Sequence, residues 1–228
     1  MTTAQPIDLS HTVADGTRTH KGLPPLHVCD FLSREDSAGH YAPGTSFQID
    51  RLELVGNTGT YIDSPFHRYH DGVDLAGLDL GQCVALPGLC LDLRGPAAPL
   101  VIDAAALEAA IAGQDIKGRA VLIRTDWCRH FDTPAYQENH PFLTAEAASL
   151  LQAGGAALVG IDSHNIDDIR GRERPAHTIL LGDGIPIVEH MTGLKALPRT
   201  GFRFFAAPLK FHRVGTMPVR AFALPDPA

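Results

Sequence analysis

Ala120-Val121-Leu122-Ile123-Arg124-Thr125 and, further on, Ala156-Ala157-Leu158-Val159-Gly160-Ile161 are short, nearly all-apolar runs, the pattern of strands buried on both faces. Between them Thr144 precedes Ala145 to Ala153, and Gly154-Gly155 follows. A hydroxyl able to cap a free amide, then good helix formers, then two glycines predict a helix through about Ala153. The result is a strand-helix-strand unit. Upstream, Asp103 is expected to cap a second helix running through about Ile111, with Gly113 as its stop.

Working outward, Ile7 to Asp92 is rich in short β-type runs. In Ser46 to Val55 the alternation suggests half-buried strands, while Gly16 to Thr45 reads as a long surface loop. Two more β candidates close the chain, Phe202 to Phe211 and Pro218 to Leu224, and Pro208 limits the first to an edge, a bulge or two pieces. An α/β protein with a mixed sheet and a few packing helices is expected, and the β-rich start argues against a plain doubly wound fold. No repeat or linker divides the chain, so residues 1–228 are expected to form one domain.

Composition narrows the function. The net charge of −7 and the dispersed basic residues exclude a phosphate-backbone binder, so no nucleic acid partner is expected. The apolar runs are too short to span a bilayer, and the first residues lack a basic start followed by an apolar run, so a cytoplasmic protein is expected. Cys29, Cys83, Cys90 and Cys128 have no paired spacing and read as reduced core residues. Twelve histidines are the one compositional hint of chemistry, because neutral imidazole is a common metal ligand.

Asn57-Thr58-Gly59-Thr60-Tyr61-Ile62-Asp63-Ser64-Pro65-Phe66-His67 concentrates glycine, hydroxyls, a carboxylate, proline and histidine after an apolar strand. Gly59 permits an unusual backbone angle or a close approach, and Pro65 pushes Ser64 toward extended geometry. Asp63 and His67 therefore cannot share an uninterrupted helix, and are expected to project from a stiff turn. On residue types alone the segment suits either a site loop or a turn that Asp63 merely braces.

The same segment resembles the H-x-G-T-H-x-D-x-P-x-H signature of the metal-dependent cyclase family, which includes bacterial kynurenine formamidases and isatin hydrolases. The resemblance extends over nearly the whole chain, through Ile7 to His11, Leu122 to Trp127, Gly160 to Asp162, His177, Glu189 and Val219 to Ala223. It implies a swivelling β/β/α-type fold, a homodimer or homotetramer, and hydrolysis of a small amide, formamide or cyclic amide or ester. It also implies that Asp63, His177 and Glu189 are metal ligands and that His67 is the catalytic acid/base. The sequence departs at the two histidine positions of the signature, occupied here by Asn57 and Tyr61. Amide and neutral phenol oxygens are weak ligands, so the resemblance implies one divalent ion, zinc or manganese, rather than two.

Two alternatives follow from the departure. Tyr61 can donate a hydrogen bond to a substrate oxyanion in a metal-free or changed reaction. Asn57 and Tyr61 can instead plug the vacated position and leave a non-catalytic binding fold. Asn57 and Trp127 are candidate substrate contacts, although a lone tryptophan is more often a buried core anchor. His11 and Asp162-Ser163-His164 are candidates to line the pocket, although no G-x-S-x-G elbow exposes Ser163 as a nucleophile. His70 and the cluster Arg170, Arg172 and Arg174 read as solvated loop residues, with an arginine there able to hold a substrate carboxylate.

Overall fold

In the computed structural model, which describes residues 5–95 and 100–227, the strands are β1 Ile7–Asp8, β2 His27–Leu32, β3 Ile49–Glu53, β4 Tyr61–Asp63, β5 Leu86–Asp92, β6 Val101–Ile102, β7 Ala120–Arg124, β8 Phe142–Leu143, β9 Leu158–Ile161, β10 Ile187–Glu189, β11 Phe202–Phe205, β12 Thr216–Pro218 and β13 Phe222–Pro225. The helices are α1 Arg34–Ala38, α2 Ala104–Ile111, α3 Ala145–Ala153 and α4 Pro175–Gly182. Residues 1–4, part of the N-terminal stretch read above for a leader, lie outside the described residues.

One nine-stranded sheet, ordered β1-β13-β11-β5-β7-β9-β10-β4-β12, organises the chain. Its centre, β5-β7-β9-β10, is parallel and both flanks are antiparallel. This is the mixed sheet expected for an α/β protein. Strand alternation divides the core between the two faces. Leu89, Leu91, Val121, Ile123, Val159, Ile161 and Ile187 pack with Leu107, Ile111, Ala147, Leu151 and Leu180 of the helices. Cys90, Ala120, Leu122, Leu158, Val188, Phe202 and Phe204 pack with Leu9 and Ile62 on the other side. Fully buried residues such as Ile123 and Leu122 leave cavities when truncated, at about 2–5 kcal/mol each.

The expected caps form. Asp103 Oδ1 accepts from Ala106 N at 2.8 Å and Thr144 Oγ1 from Ala147 N at 3.3 Å, with Gly154 closing α3. Helix α2 stops one residue before Gly113, at Ala112, which itself takes a left-handed conformation with φ of 50°.

Four expectations need correction. Gly16 to Thr45 is not all loop: it contains β2 and α1, and β2 pairs antiparallel with β3. Pairing rather than apolar alternation makes these strands. For the same reason β3 is exposed throughout instead of half-buried, since it joins only β2 and stands apart from the main sheet. Cys83 and Cys90 are core residues, their thiols pushed up to about 12 by burial, but Cys29 and Cys128 are only half-buried. At the C-terminal end, the first β candidate stops at Phe205, before Pro208, and the second divides into β12 and β13.

Candidate active site

Sheet register builds the site. Strand β4 lies between β10 and β12, so that Tyr61 faces Glu189 across one ladder and Asp63 faces Thr216 across the other. Tyr61 and Asp63 are two residues apart and share a face. The Tyr61 hydroxyl donates to Glu189 Oε2 at 2.6 Å, and the Thr216 hydroxyl donates to Asp63 Oδ1 at 2.6 Å. Asp63 thus projects from the end of a buried strand rather than from a turn.

His67 follows on a short 3-10 turn, Pro65–His67, after an extended Ser64. The loop before β12 presses on this turn so closely that a Cβ on Gly215 would stand 2.5 Å from His67 N, which only glycine allows. His67 Nδ1 lies 2.8 Å from Thr216 Oγ1. Because the single Thr216 proton goes to Asp63, His67 Nδ1 must be the donor. Its Nε2 is left with a free lone pair, 3.9 Å from Asp63 Oδ1, on a side chain 35% exposed.

Helix α4 supplies His177. Asp167 holds it from behind, Oδ2 accepting from His177 Nδ1 at 2.6 Å and from His177 N at 3.1 Å, while Oδ1 accepts from Ala176 N. His177 Nε2 consequently faces Asp63 Oδ2 at 3.6 Å and Glu189 Oε2 at 3.8 Å. Burial alone would depress the His177 pKa, but Glu189, Asp167 and Asp63 together raise it well above the ordinary value. Burial pushes Glu189 up to about 7, partly opposed by His177. For Asp63 burial acts upward too, and the pairing with His177, His67 and Thr216 outweighs it, leaving its pKa lowered.

Asp63, His67 and His177 each offer one ligand atom within 4.8 Å of the others. Glu189 borders this group through His177, with both oxygens engaged, Oε1 by Ile166 N and Oε2 by Tyr61. The donor set suits a divalent cation. Asp63, Asp167 and Glu189, all 0% exposed, surround the imidazole of His177, and Asp63 Oδ2 is buried without a hydrogen-bond partner.

The Tyr61 phenol is buried, and burial with the nearby Glu189 and Asp63 charges raises its pKa well above the usual value, the Asn57 side chain acting in the opposite sense. His20 Nε2 lies 3.0 Å from the same hydroxyl. Asn57 is half-buried. Trp127 is half-buried as well, its Nε1 donating to Tyr136 O at 2.8 Å. Asp162 braces backbone, accepting from Thr125 N, Thr125 Oγ1 and Asp126 N, and the Ser163 hydroxyl donates to Pro141 O at 2.6 Å. Neither makes a nucleophilic triad. His11 stacks on Phe131 with ring centroids 3.8 Å apart. His70 is exposed, and the guanidinium of Arg170 is paired with Asp168 at 2.8 Å.

Thr216, Asp167 and His20 went unmarked in the sequence. An isolated threonine, one aspartate among several and a loop histidine carry no spacing signal, because each reaches the site only through tertiary pairing.

An α/β fold with a buried carboxylate-imidazole centre beside a part-exposed histidine is an arrangement able to support hydrolytic chemistry. Comparison with known proteins agrees. A family model described as "Putative cyclase" matches residues 7–168, more than half of the chain, and the chain belongs to this cyclase family. The kynurenine formamidase of Bacillus cereus is 29% identical over 99% of this chain and 100% of its own length. That of Bacillus cytotoxicus is 28% identical over 96% and 97%. Among solved structures, an isatin hydrolase bound to the product analogue thioisatinate is 25% identical with a TM-score of 0.84, covering 98% of this chain and 93% of that one. These relatives are named as a formamidase and a hydrolase.

Proposed function

We propose that the chain is a cyclase-family hydrolase cleaving a small formamide, amide or cyclic amide or ester. In this reading Asp63 and His177, with Glu189 beside them, hold one zinc or manganese ion, and His67 is the general acid and base. The observation that carries it is the Asp63-Thr216-His67 chain, which fixes the tautomer of His67 and leaves Nε2 free on a part-exposed side chain.

His67 Nε2 takes a proton from the attacking water as its oxygen bonds the acyl carbon. The same nitrogen then returns the proton to the leaving nitrogen or oxygen as the acyl bond breaks. Thr216 and Asp63 keep the ring oriented, and the Asp63 charge favours the transient imidazolium. When bound, a divalent ion supplies Lewis-acid polarisation of the carbonyl and acidifies water at its open positions. Asn57 and Trp127, both half-buried, are the substrate contacts of this reading.

A second reading, metal-free, gives Tyr61 the role of oxyanion donor. It is favoured by one observation, that the Tyr61 hydroxyl already occupies Glu189 Oε2, the carboxylate oxygen that faces His177. The two separate in an assay of N-formylkynurenine, isatin and a simple lactone with zinc or manganese supplied or withheld. Metal-dependent turnover lost in Asp63→Ala supports the first. Turnover that persists without metal and is lost in Tyr61→Phe supports the second, and binding without turnover supports a non-catalytic member.

Self-association is proposed too. The β2-β3 arm carries Phe31, Ile49 and Leu52 exposed at 74%, 48% and 60%, apolar side chains that a second copy of the chain would cover. Among the described residues no helix is long and apolar enough to cross a membrane.

A further inference from the structure

We propose that His20, His164 and His190 form an all-histidine site for one divalent transition-metal ion of the zinc type, next to the Asp63 centre and linked to it through the Tyr61 hydroxyl. One ring nitrogen of each lies within 4.8 Å of the other two. The ring centroids are 4.7 Å apart for His20 and His164, 5.0 Å for His20 and His190, and 5.4 Å for His164 and His190. The ring planes are inclined at 52°, 90° and 85° in the same order, so the rings do not stack, and in-plane lone pairs can converge on one point.

Two further observations point to a ligand. His164 and His190 are 2% and 0% exposed, yet His164 Nδ1 and His190 Nε2 are buried with no hydrogen-bond partner. A buried polar atom left unpaired is costly, and ligation removes that cost. The other nitrogen of His190 is held, Nδ1 lying 2.9 Å from the Tyr136 hydroxyl, the usual support of a ligating imidazole. His190 also leaves the extended backbone immediately after Glu189, with φ of 55°, so that adjacent residues serve the two centres.

Among the described residues no carboxylate hydrogen-bonds any of the three rings, so the donor set is purely imidazole. Three imidazoles with an open fourth position suit zinc and its neighbours, whereas magnesium and calcium select oxygen. Since His20 stands on the segment between β1 and β2, an ion there ties that segment to the end of the sheet. The inference is independent of the hydrolytic reading.

The test is the metal content of the full-length chain, stripped with chelator and dialysed against zinc, together with the visible absorption of the cobalt-loaded form. His164→Ala and His20→Ala are each expected to hold about one zinc equivalent less than wild type and to lose the strong visible cobalt band of a tetrahedral site. His177→Ala is expected to keep the cobalt band of the three-histidine site, any zinc it loses belonging to the Asp63 centre. Equal zinc and cobalt spectra in wild type, His164→Ala and His20→Ala overturn the site, as does zinc loss confined to His177→Ala, a result that leaves the hydrolytic reading standing. If the buried His164→Ala does not fold, His20→Ala at its half-buried position decides alone. Zinc lost in the His164 and His20 variants, with no hydrolysis by wild type, supports this site and contradicts the hydrolytic reading.

Discussion

Thr216 and His67 meet at 2.8 Å, and because the threonine proton is donated to Asp63 at 2.6 Å, the histidine is locked as the tautomer whose Nε2 is a base. The residues lie 149 positions apart in sequence. Only the pairing of β4 with β12 brings them together.

Thr216→Val keeps the volume and removes the hydroxyl, so His67 loses its orienting partner and buried Asp63 Oδ1 loses its donor. Hydrolysis is expected to fall about 10–100-fold, with a stability loss of about 1–3 kcal/mol. Thr216→Ser should recover most of both. Steady-state kinetics beside thermal melts check this, and an unchanged rate in Thr216→Val removes Thr216 from the account.

Asp167 fixes His177 with Nε2 turned toward Asp63 and Glu189. Asp167→Asn should weaken zinc or manganese binding at that centre about 10–100-fold, read by competition with a chromogenic chelator. Part of the loss will be structural, since Asp167 also accepts from Ala176 N at the start of α4. Circular dichroism separates the two contributions.

Tyr61→Phe deletes the proton donated to Glu189 Oε2 and leaves that buried oxygen without it. The metal-free protein should lose about 1–3 kcal/mol of stability. Added zinc should then raise its melting temperature more than that of wild type, because the freed oxygen faces His177. A zinc-induced shift no larger than that of wild type would show that the phenol does not compete with an ion.

His11 sets an acid limit. Burial lowers its pKa from 6.5 to about 4, so the folded state favours the neutral ring. Below pH 6.5 the unfolded chain takes up a proton that the folded chain refuses until about pH 4. Its contribution to stability is therefore complete above pH 6.5 and declines as pH falls through that window. His11→Phe, which retains the stacking on Phe131, should show a shallower decline, measured by urea unfolding at stepped pH.

Helices α2 and α3 and strands β7 and β9 were legible because their signals are local. Asp103 and Thr144 cap from their own positions, and the runs at Ala120 and Leu158 are apolar on both faces. Strand β3 was expected within Ser46 to Val55, but its exposure and the whole of β2 were not, because the two strands pair with each other outside the main sheet. In the site, Asp63, His67, His177 and Glu189 were marked through a resemblance, and the fold gathers all four. The histidine cluster stayed hidden for the reason Thr216 did: His20, His164 and His190 converge only once sheet register and the loop path are known.

The central claim is that His67 is the acid/base of a metal-assisted hydrolysis, and its most direct test is the N-formylkynurenine hydrolysis rate of wild type and His67→Gln at matched zinc or manganese content. Turnover by the loaded wild type and a fall of about 100- to 10,000-fold in the variant are expected. Equal rates in the two proteins would contradict it.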